Sequence, residues 1–201
     1  MSKQPAFRRA EPDARRLSLV EACARVLARD GVGGASVRAI ALEAGVSSGL
    51  VGHYFSGIDA LVAATYAHVG EQVERATERA VEAAGPDPRA RLDAFATASF
   101  RAPIADPALL ATWIAFWSLV RSRPAIARQH DEQYAAFRAS LRNLLGECGV
   151  TTQHLPGAAI AVTALIDGLW LELCLSPEAF GAEEAARIVR AALDALILTG
   201  R

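Results

Sequence analysis

Two serines in the first third of the chain stand where a hydroxyl can close the open backbone N–H groups at the start of a helix. Ser36 precedes Val37, Ile40 and Ala41, which recur at helical spacing, and Ser47 precedes a second short run containing Leu50 and Val51. Gly45 lies between them, where the first run must stop, and glycine accepts the left-handed turn geometry without steric cost. The spacing predicts a helix, a tight turn and a second helix packed back through Leu50 and Val51. Ser48, Gly49, Gly52 and His53 then face outward. Small and polar residues on the outer face of such a second helix suit the major groove of duplex DNA.

A second group could handle a cation. Trp113, Phe116, Trp117 and Val120 fall at i, i+3, i+4 and i+7 on one helix face. Ring faces attract a desolvated quaternary ammonium by roughly 2 kcal/mol, with no need of hydrogen bonds. Trp170, Tyr134 and Phe100 are further candidate walls. The same stripe also reads as ordinary core packing. Asp167 lies inside an almost wholly apolar run, where an unpaired carboxylate is costly. It precedes Trp170 by three residues, so both project to similar sides of the helix. It could neutralise a bound cation, accept a hydrogen bond from a neighbouring helix or the partner subunit, or pair with Arg101 or Arg121.

Other chemistries find no support. There is no Ser/His/Asp order, no glycine-rich phosphate loop and no paired carboxylates in a recognisable cleft motif. His68, His130 and His154 have no metal-ligand companions at suitable spacing. Catalytic residues, a metal and a cofactor are therefore not expected. Cys23, Cys148 and Cys174 are odd in number and lack CxxC spacing, and Cys23 and Cys174 read as small buried hydrophobes.

The elements that position these residues are helical throughout. The chain has 201 residues, is 52% hydrophobic and is poor in aromatics, so it can bury a sizeable core. Helices are expected over 13–29, over the two short runs, and over 59–84, 88–101, 107–121, 124–147, 157–175 and 183–198. Glu71, Glu74, Arg75, Glu78, Arg79 and Glu82 make one half of the long helix a solvated face. Net charge is −1, with +2 in residues 1–60 and −3 in the remainder, and Lys3, Arg8, Arg9, Arg15 and Arg16 are bunched at the amino end. The amino terminus has no apolar leader run. The run 157–175 is apolar enough to raise a membrane span, but Asp167 and Glu172 would each cost about 2–3 kcal/mol at bilayer depth. A core or subunit-interface helix is the cheaper reading, and a cytoplasmic protein with no membrane partner is expected.

A helix ending before Gly31, then Ser36-Val37-Arg38-Ala39-Ile40-Ala41, Ala44-Gly45-Val46-Ser47, Gly49 and His53-Tyr54-Phe55, resembles the DNA-binding domain of the tetracycline-repressor (TetR) family over roughly residues 13–65. The carboxy-terminal segments Trp113-Ile114-Ala115-Phe116-Trp117 and Ala164 to Leu171 look like the choline-responsive branch that represses betaine synthesis, as does Gly52-His53-Tyr54-Phe55.

The resemblance implies an all-α homodimer of about nine helices per chain. Residues 1–58 would form a three-helix helix-turn-helix domain, with 1–10 as a flexible arm. Residues 59–201 would form a larger domain for ligand binding and dimerisation. The segment Ser47–Tyr54 would enter the major groove at two half-sites of a palindromic operator, and the last two helices would pair the subunits. Ser36 and Arg38 would lie near phosphates. Ser47 would offer its hydroxyl and neighbouring N–H groups to a phosphate. Ser48, Gly49 and Leu50 would approach bases, with Gly52, His53 and Tyr54 at the backbone or groove edge. Trp113, Phe116, Trp117, Tyr134, Asp167 and Trp170 would line the site of a small effector, choline or a similar cation, whose binding releases the DNA. One position departs from the family. Ile58 stands where a lysine usually opens the long helix, so one phosphate contact is missing, which Lys3, Arg8 and Arg9 could offset by following the minor groove. Two other readings stay open: a regulator sensing an apolar drug or lipid-like ligand, and a helical ligand-binding protein whose DNA binding has weakened.

Overall fold

The computed structural model of the chain describes residues 6–200, with side chains from Pro12 onward. Among the described residues it is built from helices alone: α1 (Ala6–Gly34), α2 (Val37–Glu43), α3 (Ser48–Tyr54), α4 (Ile58–Ala83), α5 (Pro88–Thr97), α6 (Pro107–Val120), α7 (Pro124–Glu147), α8 (Leu155–Leu175) and α9 (Ala182–Thr199). A single 3-10 turn over Ala98–Phe100 follows α5. The nine helices correspond one to one with those expected from periodicity. Their starts are set by recognisable caps. The Ala39 N–H donates to Ser36 Oγ at 3.1 Å to open α2, and the Ala90 N–H donates to Asp87 Oδ1 at 2.7 Å to open α5.

Two boundaries differ from expectation. Helix α1 begins at Ala6 rather than near Asp13, with Pro12 inside it. Proline forfeits one backbone bond there, which is why a start after it looked better on local grounds. The expected flexible arm therefore coincides with the first turns of α1 from Ala6 onward, and Lys3 lies outside the described residues, as do the side chains of Arg8 and Arg9. Helix α8 begins at Leu155 rather than Gly157, because Pro156 is tolerated in a first turn that has no bond to lose. The helical run of α1 breaks at Gly31 (φ 63°, ψ −168°), where the sequence placed its end.

The chain folds as two compact units. One gathers the described residues up to Val69 with Ala111–Gln129, and the other Gly70–Leu110 with the chain from His130 onward. The core of the first unit holds Leu19, Val26, Leu27, Ile40, Leu61, Tyr66, Phe116 and Ile126, all buried. Cys23 sits in the same core, and burial pushes its thiol up to about 11, an inert, hydrophobe-like cysteine. The second unit centres on Leu92, Leu141, Leu145, Ala185, Val189 and Leu193. Within it α9 packs on both α5 and α8.

Candidate DNA-reading face and effector site

The turn between α2 and α3 is fixed by backbone chemistry. Gly45 has φ 67°, its N–H donates to Leu42 O at 3.1 Å, and the Val46 N–H donates to Ala41 O at 2.9 Å. This pair of bonds closes the carbonyls of α2 and turns the chain sharply into α3. Val51 is buried and Leu50 half-buried, so both face inward as the spacing predicts. Ser48, Gly49, Gly52 and His53 are exposed, and Tyr54 is half-buried with its ring edge-on to His53 at 5.1 Å. Ser47 occupies the position before α3 but makes no side-chain capping bond, so its hydroxyl is not spent on the helix. Ser36, in contrast, uses its oxygen as the cap of α2.

Cations hold this assembly together as well as decorate it. Arg25 Nε and Arg29 Nη1 reach the two oxygens of Glu43 at 2.7 and 2.8 Å, joining α1 to α2. The hydrogen bonds from Arg29 and Arg25 hold the Glu43 carboxyl below its usual range. The Arg16 guanidinium lies 4.9 Å from the centroid of the Phe55 ring. Arg38 is exposed on α2.

The aromatic stripe of α6 lies in the first unit. Trp113 and Phe116 are buried and pack edge-on with each other at 5.8 Å and with Tyr66 of α4 at 5.2 and 4.9 Å. Trp117, the third member, is half-buried. The mutual packing meets the ordinary geometry of an aromatic core.

Asp167 lies in the second unit. Tyr134 of α7 donates its hydroxyl to Asp167 Oδ1 at 3.2 Å. Burial raises the Asp167 carboxyl to about 6, against the opposing pull of that hydrogen bond and of Arg138. His130 stacks on the other side of the network, its ring centroid 4.2 Å from that of Tyr134 at 35°, and the Arg138 guanidinium lies 5.8 Å from the Tyr134 centroid. Burial lowers the His130 imidazole. Trp170 is buried with its indole N–H donating to Ser99 O at 3.0 Å, which ties α8 to the 3-10 turn. The cation acting on Asp167 is therefore Arg138, in place of the Arg101 or Arg121 that sequence offered. Both Arg138 and His130 were legible in principle: with Tyr134 they fall at i, i+4 and i+8 along α7.

Residues 19–65 match the profile of the bacterial regulatory proteins of the tetR family, and residues 88–198 that of the BetI-type transcriptional repressor C-terminal domain. The chain belongs to the TetR family. A curated relative, the HTH-type transcriptional regulator BetI of Paraburkholderia phytofirmans, is 36% identical over 192 residues, which cover 93% of this chain and 95% of that one. The solved structure of a transcriptional regulator from Pseudomonas aeruginosa PAO1 is 42% identical, superposes with a TM-score of 0.85 and matches over 100% of both chains. A regulator from Saccharomonospora viridis solved in complex with choline shares the fold, with a TM-score of 0.78 and 19% identity over 90% of this chain and 96% of that one. This TetR-family chain is thus a DNA-binding transcriptional repressor with a BetI-type C-terminal domain, and not an enzyme. One helix, α8, is long and apolar enough to cross a membrane by length and composition. Its buried face, Ala158, Val162, Ile166 and Trp170 among others, serves the protein core.

Proposed function

We propose that the protein is a homodimeric repressor that reads a palindromic operator with α3 and releases it when a quaternary ammonium effector, choline or a close relative, binds near Asp167. The observation that carries the DNA half is the geometry of residues 36–55: a glycine turn presents Ser48, Gly49, Gly52 and His53 outward while Leu50 and Val51 hold the helix from behind. Ser36, Arg38 and Ser47 then lie beside phosphates and Tyr54 at the groove edge, within a reading domain of residues 1–58 and a sensing domain of 59–201.

The effector half rests on Asp167 and Tyr134. A carboxyl held at about 6 is mostly ionised at neutral pH yet poorly solvated, so a cation arriving beside it gains a partner already stripped of water. The choline complex of the Saccharomonospora regulator supports that ligand class. Trp170 belongs to the same unit, and Trp113, Phe116 and Trp117 are the second set of proposed aromatic contacts. Because Trp113 and Phe116 already cover each other and Tyr66, Trp117 is the member of the stripe with most ring surface to offer.

Dimerisation is proposed through α8 and α9. Ile160, Leu171 and Leu175 on α8 and Ile188 and Leu198 on α9 are large apolar side chains left exposed. Ala164 and Gly168 complete the α8 face at helical spacing, and a methyl group at Gly157 or Gly168 would meet nothing within 4 Å in the protomer. Such a face is one that a second subunit can cover closely. A cytoplasmic location follows from the proposed task.

The test is fluorescence anisotropy of a labelled duplex from the gene's own upstream region, titrated with protein and then with choline chloride. Binding that choline reverses is the expected result. Specific binding that choline leaves untouched refutes the effector assignment, and turns attention to an apolar ligand. Absence of specific duplex binding at low salt refutes the repressor reading itself.

A further inference from the structure

Glycines in this fold are explained in two ways, and Gly52 fits neither. Gly45 and Gly57 adopt φ of 67° and 140°, where a side chain is strained. At Gly70, a methyl group would meet Gln133 Nε2 at 2.1 Å, so space forbids it. Gly52 has ordinary helical geometry in the interior of α3, and a Cβ there meets nothing within 4 Å. Glycine is the poorest helix former after proline, so an alanine would serve the isolated helix better. What glycine preserves is the empty space outside the backbone.

The surroundings indicate what fills that space. Gly52 is exposed on the same face as Ser48 and Gly49, one turn away, and its side-chain-free Cα surface is apolar. No lysine or arginine occurs from Ala39 to Glu74, so this stretch has no fixed cation to pair a phosphate. The residue types that make bidentate bonds to base edges, arginine, lysine, asparagine, glutamine, aspartate and glutamate, are absent from α3. An apolar hollow with no charge and no bidentate partner matches the one apolar feature that bases display in the major groove, the C5 methyl of thymine.

Building on the DNA-reading role proposed above, we infer that Gly52 is a specificity-determining position that seats a thymine C5 methyl group in each operator half-site. The methyl fits because Gly52 has no Cβ. Alanine there puts a second methyl group in the same space, so the variant favours a base that lacks its own.

The experiment uses the full-length dimer and a duplex it selects from a random-sequence library. Each thymine is replaced singly by deoxyuridine, and affinities are measured for wild type and Gly52→Ala. Wild type should lose about fourfold in affinity at one thymine per half-site, the value of a buried methyl group. Gly52→Ala should bind the thymine duplex weakly and recover on the uracil duplex at that same position, a reversal that general loss of function cannot imitate. Circular dichroism and thermal melting of the variant confirm that it folds. The inference is overturned if no single thymine-to-uracil change alters wild-type affinity by more than about twofold, a threshold well below the methyl value. It is also overturned if Gly52→Ala loses equally on both duplexes, as contact with a phosphate would produce. Failure to select any duplex instead overturns the DNA-reading assignment on which the inference stands.

Discussion

Replacing Asp167 by asparagine isolates the cost of keeping a carboxylate in α8. Burial raises this carboxyl from 3.8 to about 6, which bounds its effect at roughly 3 kcal/mol when ionised. Part of the side chain is exposed, so an effect of about 1–3 kcal/mol is expected. Between the unfolded and folded values the native state holds more protons than the unfolded state. Stability due to this group is therefore greatest below pH about 4, falls as pH rises towards 6, and stays at its lower level above that. Asparagine keeps an oxygen for the Tyr134 hydroxyl and carries no charge, so Asp167→Asn should melt several degrees higher than wild type at pH 8, at about 2–4 °C per kcal/mol for a chain of this size. The two should converge near pH 4. His130 complicates a single curve, since its lowered value makes stability rise with pH through the window where that of Asp167 falls. The difference between variant and wild type removes that contribution, and calorimetry from pH 4 to pH 8 measures it directly. A variant that melts lower than wild type at pH 8, or a difference that does not change with pH, would refute the reasoning.

If a cation binds beside Asp167, calorimetric titration with choline chloride should show affinity falling as pH drops below about 6, approaching tenfold per pH unit, and a weak, pH-independent affinity in Asp167→Asn. Ile58→Lys should restore a phosphate contact at the start of α4, tightening duplex binding and steepening the log–log salt dependence by about one unit, measured by anisotropy between 50 and 200 mM salt. Leu171→Glu, on the exposed apolar face of α8, should shift the protein towards monomer in sedimentation velocity while leaving its helical content unchanged. Gly45→Ala should cost about 1 kcal/mol or more, because alanine is strained at φ 67°, and duplex affinity should fall with it as α3 loses its fixed direction.

The helices were legible because their stop signals are local. Gly31, Gly45, Gly85 and Gly149 all carry positive φ, and each stands at a helix break that the sequence also places there. The reading helix was legible for the same reason: inward Val51 and outward Gly52 and His53 follow from a period that begins at Ser47. The late start assigned to α1 has a different origin. Pro12 is a strong local signal, and a local signal cannot report how much of a helix is upheld by hydrogen bonds on either side of it.

The effector candidates show where such reasoning loses its grip. Trp113, Phe116 and Trp117 share a stripe, yet periodicity cannot distinguish a ring that packs on Tyr66 from one that keeps a face open. Asp167 stood out because a charge in an apolar run demands an explanation, and the explanation lies in Tyr134 and Arg138, which are 33 and 29 positions earlier in the chain. No spacing within α8 could name them. Once α7 and α8 are packed, the carboxylate has one hydroxyl donor at 3.2 Å, a guanidinium that lowers its pKa and a stacked imidazole behind the hydroxyl. That is too little to hold it in its ordinary range and enough to keep it mostly ionised at neutral pH. A group balanced in this way responds to small changes in nearby charge. A cation bound beside it would lower its pKa, and a proton taken up by His130 would do the same while competing with that cation, so both events would be felt through the single bond from Tyr134 to Asp167.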